Sequence, residues 1–184
     1  MANVPGYTTN NISLGPGVLY IGPAGATPSL DVGAIAEDGM EFTVTREYLE
    51  VFQGSPRQRI IQFVTDEGYE LVVNSIEWNL MNLYYALGAG VTSSSASQDI
   101  FSFGGDPATA NVAVKVTHTL PTGQTMSFYL WRCQPSGEWQ LSMKQNEIQQ
   151  FPFSFAGLIS TMAWDGVTAL GSGSQLFRII RQKT

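Results

Sequence analysis

The sequence contains one histidine and one cysteine, two residue types that can supply a base or a nucleophile near neutral pH. His118 and Cys133 could in principle form a Cys–His nucleophilic pair. However, His118 falls in step with the valines of the 112–116 run, so strand alternation places it on their apolar face. Cys133 lies in a run of strand-forming aromatic residues, which is typical of a small buried hydrophobe. We interpret both residues as structural and predict no catalytic residues.

Paired acids are a second possible source of chemistry, because glycoside hydrolysis needs two carboxylates that face each other across a cleft. The pairs Glu37-Asp38 and Asp66-Glu67 each precede a glycine, a pattern typical of a solvent-exposed turn. The sequence has no calcium-loop spacing, no cluster of thiolate or imidazole ligands and no phosphate-binding loop. We therefore expect no enzyme activity, no metal and no cofactor.

Charge and composition restrict the partners of the 184-residue chain. Nine basic and fifteen acidic residues leave a net charge of -6, which disfavours binding to nucleic acid through phosphates. Charged residues make up 13% of the chain, against about 25% in an average soluble domain, so other residue types must cover much of the surface. We expect neither a signal peptide nor a membrane-spanning segment, because no apolar run approaches the necessary length.

Alternating apolar residues predict a mainly β chain that forms one domain over residues 1–184. The first half has a short strand at Val18–Ile21, a strand at Met40–Thr45 and a hairpin of Arg59–Val64 with Tyr69–Val73 around a turn at Thr65–Gly68. Four further alternating runs follow at Val112–Val116, Met126–Leu130, Trp139–Met143 and Phe151–Phe155. We predict an antiparallel β-sandwich or barrel of about eight strands.

Between Ser75 and Gly88 the apolar spacing becomes helical, with one stripe that includes Leu80, Leu83 and Leu87. Ser75 could cap the start of this helix and Gly88 could end it. The sequence therefore predicts one amphipathic helix of roughly three turns that flanks the strands.

Three segments look too extended to bury themselves on one small domain: an N-terminal arm (1–16), a projecting loop (46–58) and a C-terminal arm (171–184). The loop carries four apolar residues, which would promote association if they remained in water: Tyr48, Leu49, Val51 and Phe52. We predict that they pack against a neighbouring subunit.

The C-terminal arm ends basic, whereas residues 31–77 hold ten acids and only three bases. We predict that this arm docks on the acidic surface of a neighbour, through apolar anchors and charges that set the register: Leu176, Phe177, Arg178, Ile179, Ile180 and Arg181. The alternative is that Leu176–Arg181 is the last strand of its own sheet.

The arrangement of these segments resembles the tail tube proteins, or major tail proteins, of long-tailed bacteriophages. The resemblance rests on Gly15–Gly22, Gly39–Val44, the Tyr48–Arg57 segment, Glu77–Leu80 and Leu87-Gly88. It implies two packed β-sheets with one helix, hexameric rings, and rings stacked into a tube through which DNA passes during ejection into the host. The inner-tube protein of type VI secretion systems shares this architecture. The implied location is the virion tail, assembled in the host bacterial cytoplasm, and the implied partners are copies of the chain, a tape measure protein and a tail terminator.

A DNA conduit needs a polar wall that does not hold phosphates, and an acidic chain suits this because it repels them. Two sets of polar strand positions are candidates for this lumen wall, and the sequence does not choose between them: Glu41, Thr43 and Thr45, or Glu138, Gln140 and Ser142.

Two other interpretations remain open. A tail terminator or a head-to-tail adaptor would share the architecture but would not polymerise indefinitely. A non-viral ligand-binding or carbohydrate-binding β-sandwich would use an aromatic stacking platform, for which the candidates are Phe128, Tyr129, Trp131 and Trp139.

Overall fold

A computed structural model of the chain describes residues 15, 17–105, 109–121, 123–141, 145–146 and 148–182. These residues form ten strands and one helix. In chain order the elements are β1 (Val18–Pro23), β2 (Leu30–Asp31), β3 (Ile35–Gln53), β4 (Gln58–Ser75), α1 (Leu80–Leu87), β5 (Val91–Ser94), β6 (Asp99–Ser102), β7 (Val112–Thr119), β8 (Thr125–Pro135), β9 (Phe151–Gly157) and β10 (Phe177–Arg181).

Eight of the strands form one antiparallel sheet in the order β2-β1-β7-β8-β9-β4-β3, and β10 also pairs with β8. Strands β10 and β9 pair with successive parts of β8, at Met126–Leu130 and at Cys133–Pro135. The small hairpin β5–β6 stands apart. The prediction of a mainly β, antiparallel fold with one helix is confirmed, and the sheet does not close into a barrel.

The main core lies where the sheet folds over on itself, as in a sandwich. Phe42 of β3 contacts Phe128 of β8 and Phe177 of β10, with ring centroids 6.0 and 5.1 Å apart. The inward residues of β7 and β9 fill the space between the layers, because strand alternation sends every second side chain to the same face. These buried residues are Val112, Val114, Val116, Phe151, Phe153 and Phe155.

The helix begins later than predicted. Its N-cap is Asn79, whose side chain accepts a hydrogen bond from the Met81 amide, and Ser75 instead ends β4, where it is fully buried. Gly88 ends the helix with φ 65, as predicted, since this left-handed conformation favours glycine. The helix has eight residues, about two turns rather than three.

The predicted turn at Thr65–Gly68 is wrong. Strand β4 runs straight through these residues, and the chain reverses at Gly54–Arg57 instead. Pairing with β3 from Ile35 to Gln53 overrides the local turn signal, and a register shift near Thr65 absorbs one extra residue. The acids Asp66 and Glu67 are consequently strand residues, and Glu67 forms an ion pair with Arg46. The segment 46–58 is thus mostly strand, not loop.

The strand predicted from Trp139 to Met143 is also wrong for its described part. Residues 136–141 are irregular, and the rest of that run lies outside the described residues. Trp139 still packs against Phe151, at 6.3 Å between ring centroids. The apolar alternation of this run therefore reflects packing of Trp139 against the core, although the described part of the run pairs with no strand.

The structure supports the intrachain alternative for the C-terminal segment. Phe177–Arg181 pairs with Leu130–Met126 of β8, so these residues belong to their own sheet and are not a free arm. The N-terminal arm (1–16) lies outside the described residues except for Gly15.

Deletion of Gln175–Thr184 is expected to destabilise the monomer. The deletion removes the ladder with β8 and the ring of Phe177, which packs on Phe42 and Tyr69. Loss of this half-buried apolar surface and the ladder should reduce the free energy of unfolding by about 3 kcal/mol. Urea denaturation followed by circular dichroism measures the loss, and unchanged stability would favour the free arm.

Candidate assembly surface

The β3–β4 hairpin extends well beyond the core as a two-stranded ribbon. We call residues 47–53 and 58–66 the distal ribbon; its residues are exposed on both faces. A lone two-stranded hairpin is marginally stable in water and normally needs a further packing partner. The distal ribbon therefore has the form of a segment that is completed by another surface.

One face of the distal ribbon is wholly apolar over two successive cross-strand pairs. Leu49 lies opposite Phe63, and Val51 lies opposite Ile61. Between 39% and 57% of each of these side chains is exposed. We call these four residues the apolar face. Directly opposed apolar side chains on one face form a continuous surface, which is the kind of patch that marks an interaction site.

The opposite face of the distal ribbon is mixed. Glu50 and Arg59 form an ion pair at 2.5 Å, and the guanidinium of Arg57 lies 4.2 Å from the centre of the Phe52 ring. Tyr48 lies opposite Val64 on this side. The contrast between the two faces makes the distal ribbon amphipathic, so a partner would cover the apolar face first.

The structure places all four predicted loop residues in the distal ribbon, but it divides them between the two faces. Leu49 and Val51 belong to the apolar face, whereas Tyr48 and Phe52 lie on the mixed one. Sequence reasoning missed the contribution of β4, namely Ile61 and Phe63. The alternation in that run contained the signal, but the misplaced turn paired the run with the wrong partner.

The predicted lumen residues Glu41, Thr43 and Thr45 lie on one face of β3, on the same side of the strand as Leu49 and Val51. Their cross-strand partners are Val72, Glu70 and Gly68, and Glu70 accepts a 2.6 Å hydrogen bond from Ser154 of β9. The outer face of β3, β4 and β9 is therefore largely polar and carries carboxylates. We call it the polar face.

Glu138 borders the polar face as well. It lines a groove of about 340 Å³ together with Val72 and Ser154. The two sets that the sequence left as alternatives therefore share one side of the molecule, at least through Glu41 and Glu138. Gln140 is exposed in the irregular segment, and Ser142 lies outside the described residues.

The predicted C-terminal contact residues divide into a half-buried group and an exposed group. Leu176 and Phe177 pack against the main core, so they anchor their own domain. The guanidinium of Arg178 lies 5.4 Å from the Trp131 ring centre, whereas Ile179 and Ile180 remain 47% and 40% exposed. Arg181 donates to the side chain of Gln124. A contact with a neighbour through Ile179 and Ile180 stays a prediction.

The residues singled out for catalysis do not come together. Cys133 lies opposite Val112, and His118 is six positions further along β7, which corresponds to roughly 20 Å. Cys133 is buried and its Sγ lies 3.3 Å from the Tyr69 hydroxyl. Burial raises the pKa of the Cys133 thiol to about 12, so it stays protonated at neutral pH.

Trp131 is buried, so it cannot form part of an exposed aromatic surface on which a carbohydrate would stack. Trp131 packs edge-on against Trp164, and its indole donates to the Ser174 carbonyl at 2.8 Å. Within the described residues, no group of three or more metal-ligating side chains occurs. No helix in this part of the chain is long and apolar enough to cross a membrane.

Comparisons with known proteins add no family assignment. No protein-family model matches the chain, and no curated protein matches it either.

Proposed function

We propose that this chain is a structural virion protein that assembles into rings, and that the rings stack into a phage tail tube that conducts DNA into the host. The resemblance to tail tube proteins suggests six subunits a ring. The observation that carries the proposal is the apolar face of the distal ribbon, because four exposed apolar side chains on a projecting hairpin require a partner surface.

Self-assembly would cover the apolar face with another copy of the same chain, so no second kind of protein is needed. An interface between two different surfaces of identical subunits repeats without closing unless a rotation closes it into a ring. Such contacts generate rings in one direction and filaments in another. The projecting distal ribbon suits the filament direction, since it reaches beyond the volume of its own domain.

The polar face is the proposed lumen wall. It holds Glu41 and Glu70 beside uncharged Thr43 and Ser154, and Asp38 accepts a 2.7 Å hydrogen bond from Asn74 at its border. Carboxylates repel phosphates, so DNA would pass along this wall without being held. The tape measure protein would occupy the same space before DNA is released.

Unlimited growth distinguishes a tail tube protein from a tail terminator or a head-to-tail adaptor. Analytical ultracentrifugation of the purified chain over a concentration series is expected to show assemblies whose sedimentation coefficients keep rising with concentration. A plateau at one closed ring would favour the terminator or adaptor. A monomer at every concentration would contradict the proposal.

A further inference from the structure

A groove of about 520 Å³ opens between the start of α1 and the β5–β6 hairpin. Trp78 and Met81 line its helix side and are 50% and 37% exposed. Thr92 and Asp99 line the hairpin side, and Asp99 accepts a hydrogen bond from Ser94. We call this the helix groove. Its size falls within the ~300–1,000 Å³ of clefts that enclose a small ligand or a few side chains.

The helix groove is acidic. Asp99 is its one charged lining residue among the described residues, and no lysine or arginine occurs in the sequence from Ile60 to Val114. Trp78 and Met81 offer an aromatic face and a polarisable thioether beside this carboxylate. Asp99 accepts the Ser94 hydrogen bond but forms no ion pair with any described residue. An exposed aromatic ring beside such a carboxylate suits a ligand that carries both a ring and a cation.

The tip of the distal ribbon, by which we mean the connecting turn Gly54–Arg57 together with Phe52, has this composition. Phe52 and Arg57 are stacked on each other at the turn, and Arg57 forms no ion pair with any described residue. The other two arginines of the β3–β4 hairpin, Arg46 and Arg59, form ion pairs with Glu67 and Glu50. The tip is therefore a local positive charge on an apolar base, complementary to the helix groove.

The tip and the helix groove lie at opposite ends of one strand. Strand β4 starts at Gln58 beside the tip and ends at Ser75, three residues before Trp78. Its 18 residues span roughly 55 Å at ~3.3 Å a residue, so a chain cannot insert its own tip into its own helix groove. Contact between these two surfaces must join different copies, and it repeats head to tail.

We propose that the tip of the distal ribbon of one copy inserts into the helix groove of a copy in the next ring, with Arg57 facing Asp99 and Phe52 against Trp78 and Met81. This inference rests on the proposed tube assembly and names the receiving surface for the hairpin. The apolar face then packs on the rim of the same neighbour. The charges fix the register of stacking, whereas the aromatic and aliphatic contacts supply most of the affinity.

Charge exchange tests the pairing. Arg57→Glu and Asp99→Arg each place like charges in the contact, and the double variant restores opposite charges in reversed order. Because every ring repeats the contact, each single change should raise the critical concentration for pelleting at least about tenfold at low salt. The double variant should return to within about threefold of the unchanged protein, and added salt should reduce all differences.

Glu37→Arg is the matched control, since it reverses an exposed carboxylate on β3 and should leave the critical concentration unchanged. Arg57→Gln and Asp99→Asn remove charge without reversing it, so they should raise the critical concentration by a smaller factor than the charge reversals do. Thermal melting of each variant confirms that the fold is kept.

The outcomes separate the two proposals. If the unchanged protein polymerises and both single variants do so equally well, or if the double variant fails to recover, the pairing of Arg57 with Asp99 is wrong and the tube proposal stands. If the unchanged protein never polymerises, the tube proposal itself fails.

Discussion

Replacement of Leu49 and Phe63 together by serine is expected to abolish tube formation while each subunit stays folded. The two side chains lie opposite each other on the apolar face and are 57% and 51% exposed in the isolated chain. They contribute little to the fold of their own domain, because the main core does not include them. Burial of two such side chains against a neighbour is worth about 3 kcal/mol a subunit, and the loss multiplies around a ring.

Negative-stain microscopy of the L49S/F63S variant, with circular dichroism for the fold, measures the effect. Ile159→Ser with Val167→Ser is the matched control, since it removes two apolar side chains that are 63% and 81% exposed and lie outside the distal ribbon. The control should form tubes of normal length. If the ribbon variant also does so, the apolar face is not a stacking element.

Substitution of Gly157 by alanine is expected to cost about 3 kcal/mol of the free energy of unfolding. A Cβ at this position would lie 2.2 Å from Cε1 of Tyr69, far inside van der Waals contact. Tyr69 cannot move aside easily, because its ring packs on Phe42 and Phe177 and its hydroxyl donates to the Arg132 carbonyl. The substitution therefore disturbs the place where β9 joins β8 and β4.

Gly171→Ala is the control for this change. A Cβ there meets nothing within 4 Å and its φ lies outside the left-handed region, so stability should stay within about 0.5 kcal/mol. Urea denaturation of both variants gives the comparison. A loss below about 1 kcal/mol for Gly157→Ala would show that Tyr69 has more freedom than its contacts imply.

Local alternation was sufficient to predict the strands of the core. The valines of β7 and the phenylalanines of β9 are buried at every second position, as a half-buried strand requires. The helix end at Gly88 was likewise predictable, because a local conformation demands glycine there. These features depend on neighbours within a few residues.

Features that depend on distant pairing were not predictable in the same way. Thr65–Gly68 has the composition of a turn, but Asp66–Gly68 pairs with Thr45–Glu47 and keeps the segment in a strand, with Thr65 as the extra residue of the register shift. From the sequence, the segment of β10 could equally be a strand of its own sheet or a free arm, because only its pairing with β8 distinguishes the two. The apolar face of the distal ribbon joins residues from both β3 and β4, so it emerges only when the turn is placed at Gly54–Arg57.

The most direct test of the proposed tube is an electron cryomicroscopy map of the purified, assembled chain. We expect a hollow tube of stacked rings, with the polar face of β3, β4 and β9 towards the lumen and the distal ribbon crossing from one ring to the next. A solid filament, a lumen lined mainly by lysine and arginine, or distal ribbons left in solvent would contradict it.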